Sequence, residues 1–142
     1  MEHITIKTDI KVYNYDEIEE GVRELVECAK SATGNSYTPY SGFCVGAAIR
    51  LDDGTIIKGA NQENAAFSVT MCAERAAIFN AQSNYPQKAI TEIAIAAKNA
   101  TTLFVVCFIT KTSLFHNIHR YGYYTKQGGN NAMYYPSKTL HF

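Results

Sequence analysis

The stretch of this chain with the most chemical content is Cys72-Ala73-Glu74-Arg75. A cysteine at the first turn of a helix faces the positive end of the helix dipole. That lowers its pKa and favours the thiolate, a good zinc ligand. Glu74, two residues on, cannot easily bind the same metal but can lean over it. A carboxylate in that position can take a proton from water and return it to a leaving group. Taken alone, the tripeptide also fits a half-buried structural cysteine at a helix start, the commoner use of such a residue.

Its company narrows the choice. Asn61 and Glu63 lie two apart in a loop after an expected strand, so both face one pocket if the segment is extended. In loops the same residue types also serve turns and caps. Phe43 opens an apolar run, where a phenylalanine is ordinarily core. Cys28 and Cys44 are assigned to packing.

These residues need elements to hold them. Residues 4–13 alternate apolar and polar, as an extended segment or edge strand does. Ile18, Val22, Leu25, Val26 and Ala29 recur at helical spacing, with a cap at Asp16 or the residue before it and a stop at Gly34-Asn35. Residues 43–49 read as an apolar strand. Asp52-Asp53-Gly54 reads as a hairpin turn and residues 55–60 as the returning strand. Residues 73–81 read as a helix and 91–97 as a third strand. The expected class is α/β, an α-β-β-α-β core with the sheet covered by helices. Residues 103–109 read as a further buried strand. Beyond Leu114 no period is sustained, and residues 127–131 are loop-like.

The ordered set Tyr37-Thr38-Pro39-Tyr40-Ser41-Gly42-Phe43-Cys44-Val45-Gly46-Ala47-Ala48, Asp53-Gly54, Gly59-Ala60-Asn61-Gln62-Glu63-Asn64-Ala65 and Cys72-Ala73-Glu74-Arg75 resembles the small, homotetrameric, zinc-dependent cytidine deaminases over residues 20–99. The resemblance implies a cytidine-deaminase-like fold. It also implies hydrolytic deamination of cytidine or deoxycytidine in pyrimidine salvage, with Zn2+ as cofactor and a homotetramer completing each pocket from neighbouring chains. Residue by residue, Cys72 resembles the first zinc thiolate, in the place that histidine holds in the H-x-E…P-C-x-x-C pattern of related deaminases, and Glu74 the proton shuttle. Phe43 resembles the aromatic that packs on the pyrimidine. Asn61 and Glu63 resemble the pair that hydrogen-bonds the ribose 3′-hydroxyl, and Arg75 the arginine that tempers the zinc thiolates.

The other two ligands of the family come from P-C-x-x-C at a second helix start, and no C-x-x-C occurs in this chain. Cys107 falls where the first of that pair belongs, flanked by Val106 and Phe108, and Thr110 takes the second position. His116 and His119, three apart, offer imidazoles but lie in no periodic segment. All thirteen acidic residues precede residue 100, and the last 42 residues have none. The chain is therefore divided into a deaminase-like core, 1–99, and an atypical C-terminal segment of the same domain, 100–142. A frame change or rearrangement in the coding sequence near residue 100 would explain both features, and the coding DNA tests that hypothesis. With two cysteines missing, the expected outcome is little zinc and no measurable turnover. The alternative to the enzyme is a catalytically inactive deaminase-like relic that binds nucleoside or has no function.

The remaining composition narrows partners. Net charge is zero, so nothing attracts a nucleic acid polymer or an anionic membrane at long range. No apolar run approaches the ~20 residues of a bilayer span. The N-terminus lacks the basic start and apolar core of a signal peptide. A cytoplasmic location, with free or metal-bound thiols, is expected.

Overall fold

The computed structural model describes residues 11–98, 123–126 and 131–134. Among these residues six strands and two α-helices run in the order β1 (Lys11–Asn14), α1 (Glu20–Ala32), β2 (Val45–Leu51), β3 (Ile56–Ala60), α2 (Ala73–Asn84), β4 (Ile90–Ala97), β5 (Tyr123–Lys126) and β6 (Asn131–Tyr134). They form one sheet of order β1-β6-β5-β4-β2-β3. β4 and β5 are parallel, and the other neighbouring pairs are antiparallel.

The expected α-β-β-α-β core is present as α1 to β4, with an α/β sheet covered on both faces. Val22, Leu25, Val26 and Ala29 of α1 pack on Ala48, Ala94 and Ala96. Ala73, Ala77, Ile78 and Ala81 of α2 pack on the opposite face, against Ala47, Ile49, Ile57, Ile93 and Ile95. A sheet buried on both sides needs apolar residues at successive positions, which is why β2 and β4 lack alternation.

Close approach of the helices is set by two glycines. A Cβ on Gly46 would lie 2.2 Å from the Ala29 carbonyl oxygen and 2.6 Å from the Thr33 nitrogen. One on Gly59 would lie 2.3 Å from the Ala77 nitrogen and 2.5 Å from the Ala73 oxygen. The β2–β3 turn closes with Gly54 at φ +86°, as the Asp-Asp-Gly sequence predicts.

Two expectations shift. The helix does not start near Asp16. Residues Tyr15–Glu17 form a single 3₁₀ turn, closed by the Asn14 N–H donating to Glu17 Oε2 at 2.8 Å, and Ile18 is extended. α1 begins only at Glu20, and its last turn tightens into a second 3₁₀ turn, Thr33–Asn35, at the expected stop. Two strands, β5 and β6, lie in the region where no period was sustained. Each is four residues long and joins the sheet by backbone pairing, which leaves little side-chain pattern to read. Of the extended segment expected at 4–13, the part that falls in the described residues is β1, at the sheet edge as anticipated. The strand expected at 103–109 and residues 127–130 of the expected loop lie outside the described residues, and Asn131 opens β6.

Candidate active site

Three chain segments meet at the start of β2 and the start of α2. Their join is the strap Asn61-Gln62-Glu63, which leaves the end of β3 in extended form. Gln62 forms a parallel bridge to Tyr37 on one side and an antiparallel bridge to Met71 on the other. The Tyr37 N–H donates to the Asn61 carbonyl at 3.0 Å, and the Glu63 N–H to the Tyr37 carbonyl at 2.8 Å. Gln62 and Met71 exchange backbone bonds of 2.8 and 2.9 Å. The loop that carries Phe43 is thereby tied to the residue that precedes Cys72.

The Asn61 and Glu63 side chains both face the Phe43 loop, as their spacing anticipates. Asn61 Oδ1 accepts from the Val45 N–H at 2.8 Å, and its Nδ2 donates to the Phe43 carbonyl at 2.9 Å. Glu63 Oε2 accepts from the Tyr40 and Ser41 N–H groups at 3.0 and 3.2 Å, and Oε1 accepts from the Ser41 hydroxyl. The Ser41 hydroxyl chiefly, with the two amides adding, holds the Glu63 carboxyl below its ordinary value of 4.5 against an opposing desolvation. Phe43 is half-buried, two residues short of β2 and outside the buried core, so it is not the strand-opening core residue that its sequence position suggests.

Cys72 is the N-cap of α2, with extended backbone (φ −74°, ψ 156°) and its carbonyl accepting from the Ala76 N–H at 3.0 Å. This is the helix-start position that the sequence expects, and Cys72 is half-buried there. Glu74 lies in the first helical turn with 6% of its surface exposed, the one charged side chain among the described residues that is buried. Arg75, on the next position of the turn, places its guanidinium carbon 5.7 Å from the Phe79 ring centre. Cys28 and Cys44 carry no disulfide, and Cys44 Sγ lies 3.4 Å from Thr38 Oγ1.

The donor set for zinc fits in part. Cys72 has the capping position that favours a thiolate, and Glu74 stands beside it. Among the described residues no three His, Cys, Asp or Glu side chains converge. Cys107, His116 and His119 lie outside those residues.

Two residues of the site were not anticipated, Ser41 and Gln62. Ser41 stands in a turn-forming Tyr-Ser-Gly run, where a serine hydroxyl commonly turns back on the chain. Nothing in sequence spacing signals the double pairing of Gln62. An open groove of about 450 Å³ lies elsewhere, at the hairpin end of β2 beside Arg50, Asp52 and Glu92. There Arg50 is already held by Glu92, Glu24 and the Gly21 carbonyl, so the groove is a structural ion cluster and not part of this site.

The chain matches the family model of the cytidine and deoxycytidylate deaminase zinc-binding region over residues 2–105. It is 51% identical over 63 residues to a cytidine deaminase of Sporosarcina psychrophila, covering 44% of this chain and 46% of that protein. To the cytidine deaminase of Halalkalibacterium halodurans it is 45% identical over 73 residues, 51% of this chain and 54% of the other. The chain thus spans about half the length of the curated relatives it matches. In structure it is similar to the cytidine deaminase of Burkholderia pseudomallei, with a TM-score of 0.67 and 28% identity over 79% of this chain and 90% of that one. The Mycobacterium leprae enzyme gives a TM-score of 0.63 and 25% identity, over 82% and 94% of the two chains. The family model covers most of the chain, and the solved cytidine deaminases share its fold: the chain belongs to the cytidine and deoxycytidylate deaminase zinc-binding family.

Proposed function

We propose that this site takes a cytosine nucleoside, cytidine or deoxycytidine, and that its reaction is hydrolytic deamination to the uridine product and ammonia. The observation that carries this is the buried Glu74 carboxylate in the first turn after Cys72. Burying a carboxylate is costly and contributes nothing to packing, so the position is explained by chemistry done there. Glu74 takes a proton from the attacking water and delivers it to the amino group as it leaves. Phe43 packs on the pyrimidine. Asn61 retains a second amide N–H, and each Glu63 oxygen has more than one lone pair, so both can bond a sugar hydroxyl while holding their loop.

Zn2+, when bound, supplies a Lewis acid that lowers the pKa of water. Cys72 and, by its place in the sequence alone, Cys107 would hold it, with Arg75 tempering their charge. The absence of any C-x-x-C in the sequence favours a second reading, nucleoside binding without turnover. Among the described residues no helix is long and apolar enough to cross a membrane. A cytoplasmic homo-oligomer, without a nucleic acid polymer as partner, completes the proposal.

Metal analysis and product formation decide between the readings. The deaminase reading requires about one zinc per chain, against the little zinc and absent turnover that the two missing cysteines lead one to expect, with cytidine consumed by the wild type and not by Glu74→Gln. Metal-free protein that binds cytidine without turnover establishes the second reading. Protein that neither binds nor deaminates cytidine removes both.

A further inference from the structure

We propose that Ser41 is a positioning residue for this site, its hydroxyl passing the hold of Glu63 on to the backbone of Phe43. The inference rests on the nucleoside reading above for its functional consequence, and on geometry alone for its mechanism.

The Ser41 Oγ–H donates to Glu63 Oε1, and the same oxygen accepts from the Phe43 N–H at 3.0 Å. A hydroxyl has one proton and two lone pairs, so it does both at once. Its bond to an ionised carboxylate is charge-assisted, and that polarises the oxygen toward its second partner. Gly42, at φ +65°, bends the chain so that the hydroxyl reaches the amide two residues on. From the other side, Asn61 Nδ2 holds the Phe43 carbonyl. Both polar groups of the Phe43 backbone are therefore fixed by side chains, one directly from the strap and one through Ser41.

An alanine at position 41 removes the hydroxyl and leaves the Glu63 carboxylate and the Tyr40 and Ser41 amide bonds in place. It separates the Phe43 connection from the rest of the loop. Ser41 is exposed and belongs to no helix or strand, so the substitution is compatible with folding. Threonine at the same place restores the hydroxyl.

The test compares the full-length wild type with Ser41→Ala and Ser41→Thr. Amide hydrogen exchange at Phe43 is followed without nucleoside, and cytidine affinity is measured separately by calorimetry. In Ser41→Ala the Phe43 amide exchanges faster and the cytidine Kd rises about tenfold, as losing one charge-linked hydrogen bond implies. The Tm stays within about 2 °C, as for an ordinary surface substitution, and Ser41→Thr restores both exchange and Kd. Unchanged exchange at Phe43 in Ser41→Ala overturns the proposal, whatever the nucleoside data say. Faster exchange with an unchanged Kd overturns it as well, because Ser41 is then structural only. Wild type that binds no cytidine overturns the nucleoside reading and the positioning role with it. The exchange measurement separates that failure from failure of the Ser41 link itself.

Discussion

Glu63 works as a charged anchor for the 40–41 segment, and its ionisation state governs that work. Its folded pKa is depressed, chiefly by the Ser41 hydroxyl. A depressed carboxylate contributes stability that is present above the unfolded pKa and is lost as pH falls through the folded value. We therefore expect the Tyr40 and Ser41 amides to keep their protection through the ordinary carboxylate range and to lose it only at more acid pH. Carbon-detected titration of Glu63 alongside amide exchange at 40 and 41 checks this. A Glu63 midpoint at or above 4.5 contradicts it. Glu63→Gln keeps an acceptor oxygen but not the charge, so its loop exchanges faster at neutral pH and has lost this acid transition.

At the scale of elements, the helices sit close to the sheet because Gly46 and Gly59 have no side chain. The atoms facing them are backbone atoms of α1, its 3₁₀ extension and α2, which cannot step aside as a side-chain tip can. Gly46→Ala and Gly59→Ala each force a helix outward, and overpacking of this kind costs about 1–3 kcal/mol. Thermal unfolding reads that as a drop of several degrees in Tm, with Gly59→Ala also shifting the first turns of α2, where Ala73 and Glu74 lie. The apolar runs of β2, β3 and β4, the Asp-Asp-Gly turn and the helix after Cys72 were legible in the sequence, because each carries its own pattern or punctuation. The start of α1 was not, since the Asn14–Glu17 bond closes a separate turn and an extended Ile18 interrupts the helical spacing. β5 and β6 were not legible either, being four-residue strands recruited by neighbours. For the site, residue types and the i, i+2 spacing of Asn61 and Glu63 were readable. The loop they grip was not, because hydrogen bonds across 18 to 23 residues leave no local trace.

Over the whole molecule, apolar side chains are exposed around the site: Phe67 at 88% and Val69 at 60%, with Tyr37 and Tyr40 on the Phe43 loop. Phe67 and Val69 belong to a loop that Asn64 and Thr70 hold together, so these groups are presented on a fixed support. Where such groups adjoin in one patch, they are the usual mark of an association surface. Sedimentation of the wild type is expected above monomer mass, with Phe67→Asp shifting the population toward monomer while the Tm of the isolated chain is retained. A monomeric wild type at high concentration counts against the homo-oligomer. The strap at 61–63 has a bearing on how such a molecule can be altered. Because Gln62 is stitched to Tyr37 on one side and to Met71 on the other, residues 35–45, 61–63 and 71–74 form one cassette despite their separation in the chain. Anyone moving the Phe43 loop of a relative into this protein must transplant all three pieces together. A graft of the loop alone would arrive without the surface it is fastened to.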